Sequence, residues 1–230
     1  MGWRRVNIVL TRESGMNGEL RAFTPPSALV REVPLTRTEY RRLSDVKGQL
    51  EASGHYGLFA SLVVTSARSG DYVETAMQSL KRGASVFSVG RATTRLLLGR
   101  GVTVTGEAAS TSRDLADFIH RGPVVLLGAA QMRHELPDAL RERELEVVHV
   151  ACYETVPVEL SDFDKEALLS AHVVFIGAPS AWLVARDYVT ASAWVVVPGA
   201  TTGDVVRCDH QQVLEGWEPA MRDVLASLEV

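Results

Sequence analysis

Val86-Phe87-Ser88-Val89-Gly90-Arg91-Ala92-Thr93-Thr94-Arg95-Leu96-Leu97-Leu98 decides how this chain is read. An apolar run stops at a glycine, two threonines follow, and a helical apolar run begins. The order is strand, tight turn, helix N-terminus. Glycine suits the turn because it tolerates positive φ. Thr93 and Thr94 sit where hydroxyls can cap free N–H groups. The same grammar returns as Val195-Val196-Val197-Pro198-Gly199-Ala200-Thr201-Thr202-Gly203-Asp204-Val205-Val206. Each copy has an upstream companion, a β run that breaks into small residues and hydroxyls: Ser61-Leu62-Val63-Val64-Thr65-Ser66-Ala67-Arg68-Ser69 and Val173-Val174-Phe175-Ile176-Gly177-Ala178-Pro179-Ser180-Ala181. One unit of strand, polar loop, helix, strand, Gly/Thr turn and helix thus occurs twice, which predicts two similar α/β halves.

The rest of the chain extends this pattern. Val6 to Leu10 reads as a strand buried on both faces, and Leu29 to Leu35 as a second strand closed by Pro34. Thr36 to Glu39 reads as a connector. Tyr40, Leu43, Val46 and Leu50 fall at helical spacing. Further strands are expected at 58–64, 102–105, 124–127, 145–153, 173–176 and 194–197. Helices are expected at 68–80, 180–188, 202–206 and 219–228. Thr111-Ser112-Arg113-Asp114 resembles a capping box opening a helix that carries Leu115, Phe118 and Ile119. Pro137 falls in a helix and is tolerable only in its first turn.

Alternating strands and helices predict mostly parallel sheets flanked by helices. Two proline-flanked segments, near 34–39 and 151–157, read as crossings between domains. The expected organisation is one domain inserted in the other: 1–35 plus 157–230 as a discontinuous α/β domain, 40–150 as a second, and 36–39 and 151–156 as a two-stranded connector. The cleft is then expected between the two.

Bulk properties narrow the function. With 46% hydrophobic and 23% charged residues in 230, the composition is that of a globular protein. A net charge of −4 with scattered Lys and Arg gives no basic face for nucleic acid. No apolar stretch has membrane-spanning length, and the opening Met1-Gly2-Trp3-Arg4-Arg5 has no signal-peptide h-region. Cys152 and Cys208 make neither a disulfide framework nor a metal cluster, and a cytoplasmic location follows as the default. The six histidines show no ligand spacing. No Gly-x-Gly-x-x-Gly, P-loop, His-Glu-x-x-His or Gly-x-Ser-x-Gly is present. What the chain offers is hydroxyl-rich loops at the carboxyl ends of strands, each at a helix start. Such ends bind ligands in open parallel sheets, and free N–H groups there favour anions. The bland alternative is that these hydroxyls only cap their own helices.

Taken in order, the pieces resemble the uroporphyrinogen-III synthase family over nearly the whole chain. The carriers are Leu10-Thr11-Arg12, Val33-Pro34-Leu35, Val64-Thr65-Ser66-Ala67, Ser88-Val89-Gly90-Arg91-Ala92-Thr93, Arg133-x-x-Leu136-Pro137-x-x-Leu140, Val150-x-x-Tyr153-Glu154-Thr155, Ala178-Pro179-Ser180-Ala181 and Pro198-Gly199-Ala200-Thr201-Thr202. The resemblance implies two α/β domains on a two-stranded connector, no cofactor or metal, and a monomer. The implied substrate is hydroxymethylbilane, a linear tetrapyrrole with an acetate and a propionate on every ring. It also leaves room for a transient contact with porphobilinogen deaminase. Loss of water at ring A gives an azafulvene. Ring D attacks it at its substituted α-carbon, and a spiro intermediate reopens and recloses with ring D inverted. By motif match Thr11, Arg12, Thr65, Ser66, Gly90, Thr93, Ser180, Gly199, Thr201 and Thr202 would bind carboxylates. Tyr153 would stand near the leaving hydroxyl.

Three positions depart from the family pattern. Ile176-Gly177-Ala178 replaces a Thr-Ser pair, Leu127-Gly128 replaces an arginine-glycine, and Glu144 stands for a glycine. The first two remove polar groups and favour a second reading, a non-catalytic module that senses a polycarboxylate on the same fold. A two-domain sugar transferase is a weaker third, since the halves are short and no nucleotide loop is visible.

Overall fold

Phe59-Ala60-Ser61-Leu62-Val63-Val64 is apolar at nearly every residue, and a strand carries that pattern when both its faces are covered. All six residues are buried. The structure, a computed structural model, describes residues 6–108, 113–217, 220 and 222–224. Its elements are β1 (Asn7–Leu10), α1 (Gly18–Arg21), β2 (Leu29–Glu32), β3 (Thr36–Tyr40), α2 (Leu43–Ala52), β4 (Phe59–Val64), α3 (Val73–Met77), β5 (Leu80–Val89), α4 (Arg91–Gly99), β6 (Gly106–Ala108), β7 (Val124–Ala129), α5 (Glu135–Glu142), β8 (Val147–Pro157), α6 (Asp162–Leu169), β9 (Val173–Phe175), α7 (Pro179–Ala185), β10 (Trp194–Val197), α8 (Ala200–Arg207) and β11 (Val213–Glu215). Short 3₁₀ turns stand at Ala67–Tyr72, Arg113–Phe118 and Arg186–Tyr188.

Two compact units result. One takes the residues up to Thr38 and those from Val156 on, the other Glu39–Thr155. The first holds a sheet in the order β11-β10-β9-β1-β2, the second a sheet in the order β6-β5-β4-β7-β8 with β3 beyond β8. The ladders from β1 to β2, β9 to β1, β9 to β10 and β10 to β11 are all parallel. So are those joining β4 to β5, β4 to β7, β5 to β6 and β7 to β8. The chain passes between the units within β3 and β8, which run antiparallel: Val158 N–H donates to the Leu35 carbonyl at 3.0 Å and Arg41 N–H to the Cys152 carbonyl at 2.8 Å.

The two sheets are the same sheet in different chain order. Strands β4, β5 and β6 have the places of β9, β10 and β11, while β7 and β8 have those of β1 and β2. The first unit is thus a circular permutation of the second, cut open where the second is inserted. Alternate residues face opposite sides. Val9, Val174, Ile176, Val195 and Val197 share one cluster, and Ile8, Leu10, Val173, Phe175 and Val196 another. In the second unit Leu62, Val64, Val125 and Leu127 lie on one face and Val63, Val124 and Leu126 on the other.

Several expected elements differ. The helix expected at 68–80 is a 3₁₀ turn followed by α3, and Leu80 already opens β5. Within that turn Gly70 packs against Leu96, whose methyls a Cβ at position 70 would meet at 2.9 Å. Tyr40 belongs to β3, and the helical run starts only at Leu43. The strand expected at 102–105 is irregular: the ladder with β5 begins at Gly106, while Val102 and Val104 are side-chain packing. β2 stops at Glu32, although Val33 and Leu35 stay buried. α6 is an element beyond those expected. It opens on a capping box in which the Ser161 hydroxyl accepts from Asp164 N–H at 3.2 Å and the Asp164 carboxylate from Ser161 N–H at 3.1 Å. Thr111 and Ser112, and most of the helix expected at 219–228, lie outside the described residues.

Candidate functional site

In each unit the candidate residues gather at the carboxyl ends of the central strands, where strand order reverses and open parallel sheets bind ligands. Thr65 follows β4, and its hydroxyl donates to the Leu127 carbonyl on β7 at 3.1 Å. Thr11 follows β1, and its hydroxyl donates to the Phe175 carbonyl on β9. Under the equivalence of the sheets these two threonines bridge the same pair of central strands from opposite members. Thr11 is 1% exposed, so its hydroxyl is engaged within the fold. At position 128 the absence of a side chain makes room for Thr65, whose hydroxyl a Cβ there would overlap.

Next come the helix starts. α4 opens at Gly90, with φ 81° and ψ 145°, and α8 at Gly199. Neither N-cap residue has a side chain to spend on the first-turn N–H groups. The positive φ expected of the turn glycine holds at Gly90 only, since Gly199 has φ 171°, an extended backbone open to any residue. Ala178 opens α7 and likewise makes no side-chain cap bond. Ser66 alone of these does cap, accepting from Arg68 N–H at 3.2 Å.

Thr93 and Thr94 do not occupy the N-cap itself. Thr93 is the third residue of α4, is buried, and donates its N–H to the Gly90 carbonyl at 3.0 Å. Thr202 does the same in α8, its N–H on the Gly199 carbonyl at 3.1 Å. Thr202 is therefore the counterpart of Thr93. Thr201 falls where Ala92 stands and is exposed, as is Ser180, the second residue of α7. Thr94 shares a hydrogen bond with Ser88, oxygen to oxygen 2.8 Å.

Tyr153 lies on β8, where the register with β7 slips: Gly128 pairs with Ala151 but Ala129 with Tyr153. Cys152 is the additional residue, and both Cys152 and Tyr153 join the same core cluster. Tyr153 is 5% exposed, its ring 6.1 Å from that of Tyr40 and 6.0 Å from the Arg68 guanidinium. Burial pushes the Cys152 thiol up to about 12. Burial also holds His149 below the ordinary imidazole value, against an opposing hydrogen bond to the Ala129 carbonyl.

Arg12 stands after β1, its guanidinium 5.2 Å from the centre of the Trp217 ring and 3.5 Å from the Glu19 carboxylate. Trp217 and Arg68 join the residues expected from sequence. Arg68 is marked by its place directly after the Ser66-Ala67 loop. Trp217 lies beyond β11 and carries no local signal.

The family model described as "Uroporphyrinogen-III synthase HemD" matches residues 24–202. The chain belongs to the uroporphyrinogen-III synthase family. Its members are hydro-lyases of tetrapyrrole biosynthesis that act on a small-molecule substrate. A mutant uroporphyrinogen III synthase from the extreme thermophile Thermus thermophilus superposes with a TM-score of 0.68 at 15% identity, over 97% of this chain and 99% of that one. The Helicobacter pylori enzyme gives 0.64 at 16%, over 98% and 100%. At such identities these likenesses bear on the fold, which is the two-domain α/β fold of uroporphyrinogen-III synthases. No curated protein sequence matches the chain. Among the described residues no helix is long and apolar enough to cross a membrane.

Proposed function

We propose that this member of the family converts hydroxymethylbilane to uroporphyrinogen III, losing water at ring A and inverting ring D. One observation carries the assignment of groups: α4 and α8 begin on glycines at the carboxyl edges of their sheets, with first-turn N–H groups that no N-cap side chain occupies. The bland alternative, hydroxyls spent on their own helices, describes Ser66 but not Thr201 or Ser180. Helix N-termini with free donors favour carboxylates, and each contributes roughly 0.3–1 kcal/mol when exposed. Thr201 and Ser180 add exposed hydroxyls and Arg12 a guanidinium, while Thr11, Thr65, Thr93 and Thr202 shape the loops that carry them.

The substrate cyclises unaided to the isomer with ring D uninverted, so the demand on the protein is conformational. It must hold the two ends in one geometry and exclude the other. Fixed N–H groups and hydroxyls suffice for that. Tyr153 serves the loss of water, donating a hydrogen bond or proton to the departing ring A hydroxyl, with Arg68 and Tyr40 about its ring. The same reading has the protein act as a cytoplasmic monomer supplied by porphobilinogen deaminase. The test is a coupled assay from porphobilinogen with that deaminase, separating type I and type III products after oxidation. Type III product on addition of the protein is the expected result. Type I alone would leave only a carboxylate-binding module.

A further inference from the structure

We infer that Trp217 is a positioning residue for substrate binding: its ring fixes the Arg12 guanidinium in the orientation that meets a substrate carboxylate. The inference rests on the reading of Arg12 given above.

Trp217 is itself held. Its ring stacks on Phe175 with centroids 5.1 Å apart and planes 25° apart, and Phe175 is fully buried at the end of β9. The preceding Gly216 donates its N–H to the Val197 carbonyl at the end of β10, at 2.9 Å. The indole thus stands on the carboxyl ends of two central strands. The Arg12 guanidinium lies 5.2 Å from its centre. Cation–π stacking uses the face of a guanidinium and leaves the N–H donors of its edge to bind in plane, where a carboxylate takes two at once. A long, flexible side chain is thereby pre-organised before the ligand arrives, which lowers the entropy lost on binding. The neighbouring anion, Glu19, is 71% exposed and touches one Nη at 3.5 Å. Such a surface pair is weak, so a substrate carboxylate can displace it.

The experiment measures KM and kcat for hydroxymethylbilane, generated by excess porphobilinogen deaminase, together with the melting point of each variant. Arg12→Met should raise KM about tenfold or more, as expected for a lost hydrogen bond to a charged group. Trp217→Leu should raise KM about 2- to 5-fold, the range of an exposed cation–π contact, with kcat unchanged. Trp217→Tyr should restore most of it. The double variant Arg12→Met/Trp217→Leu should bind no worse than Arg12→Met alone. Trp217→Met, which keeps an apolar contact with Phe175 but has no π face, replaces Trp217→Leu if the latter melts below the assay temperature. A raised KM in Arg12→Met with wild-type KM in the Trp217 variants overturns this inference and leaves the reading of Arg12 standing. Additive effects in the double variant also overturn it. Wild-type KM in Arg12→Met removes the reading of Arg12 and the inference with it.

Discussion

Thr65 fills the space that a side chain at position 128 would need. Its hydroxyl donates to the Leu127 carbonyl at 3.1 Å, and a Cβ on Gly128 would overlap that hydroxyl. Gly128→Ala should therefore destabilise the protein by about 1–3 kcal/mol, the range for overpacking. Adding Thr65→Ala should recover part of the loss, because the remaining neighbours of the new Cβ are at ordinary distance. Urea melts of the two single variants and the double give the coupling. Simple additivity would show that the two positions do not compete for space.

Glu144, between α5 and β8, has φ 60°. It stands where the family resemblance expects glycine. Left-handed backbone costs a residue with a side chain roughly 1–2 kcal/mol, while glycine's freedom in the unfolded chain takes back roughly 0.5–1 kcal/mol. Glu144→Gly should raise the melting point by about 1–4 °C. A lower melting point would mean that the glutamate makes a stabilising contact outweighing its backbone strain.

The threonines divide by burial. Thr201 is exposed, whereas Thr93 and Thr202 are buried. Thr201→Ala should leave the melting point in place and raise KM for hydroxymethylbilane up to about tenfold. Thr93→Ala and Thr202→Ala should each lower stability by about 1 kcal/mol through lost packing. Wild-type KM in Thr201→Ala would strip that residue of its ligand role.

Tyr153→Phe keeps the ring beside Tyr40 and removes the hydroxyl alone. In its proposed role the phenol assists departure of water, so kcat should fall with little change in KM. Because the azafulvene also forms unaided, the fall should be roughly 10- to 100-fold, at or below the low end of the ~10²–10⁴-fold usual for a general acid. The product should remain type III. Full activity would reduce Tyr153 to a packing residue of β8, and a switch to type I would assign it the orientation of ring D.

The Cys152 thiol is pushed up to about 12 by burial, against an ordinary value of 9.0. The folded state therefore keeps a proton that the unfolded chain releases near pH 9. Between about pH 9 and 12 this group makes folding less favourable by roughly 1.4 kcal/mol per pH unit. The stability advantage of the wild type over Cys152→Ala should narrow across that window. Native protein at about pH 8 should react with a thiol reagent at the exposed Cys208 alone, and at both cysteines in urea. Two fast thiols in the native state would contradict the burial.

What was legible in the sequence was local or periodic. Gly90, Gly199 and the adjoining threonines lie within single strand–turn–helix segments, and runs such as Phe59–Val64 announce strands covered on both faces. The misreadings come from contacts between distant residues. Spacing alone reads 68–80 as one helix, and the packing of Gly70 on the distant Leu96 leaves no mark in that spacing. The slip at Cys152 sends two successive side chains into one core, which no period-2 pattern encodes. The contact of Arg12 with Trp217 joins opposite ends of the chain and leaves no trace in either neighbourhood.

The permuted strand order bears on how the protein is born. β1 lies between β2 and β9, yet a ribosome delivers all of Glu39–Thr155 before β9 emerges. Through that interval the later unit can close around its own sheet, while β1 and β2 form at most a pair, too few strands to be stable alone. The strands made first are thus the last to find their full sheet. A nascent chain halted before Val173 would contain one intact sheet and an apolar two-strand remnant, the kind of exposed edge that chaperones and proteases recognise.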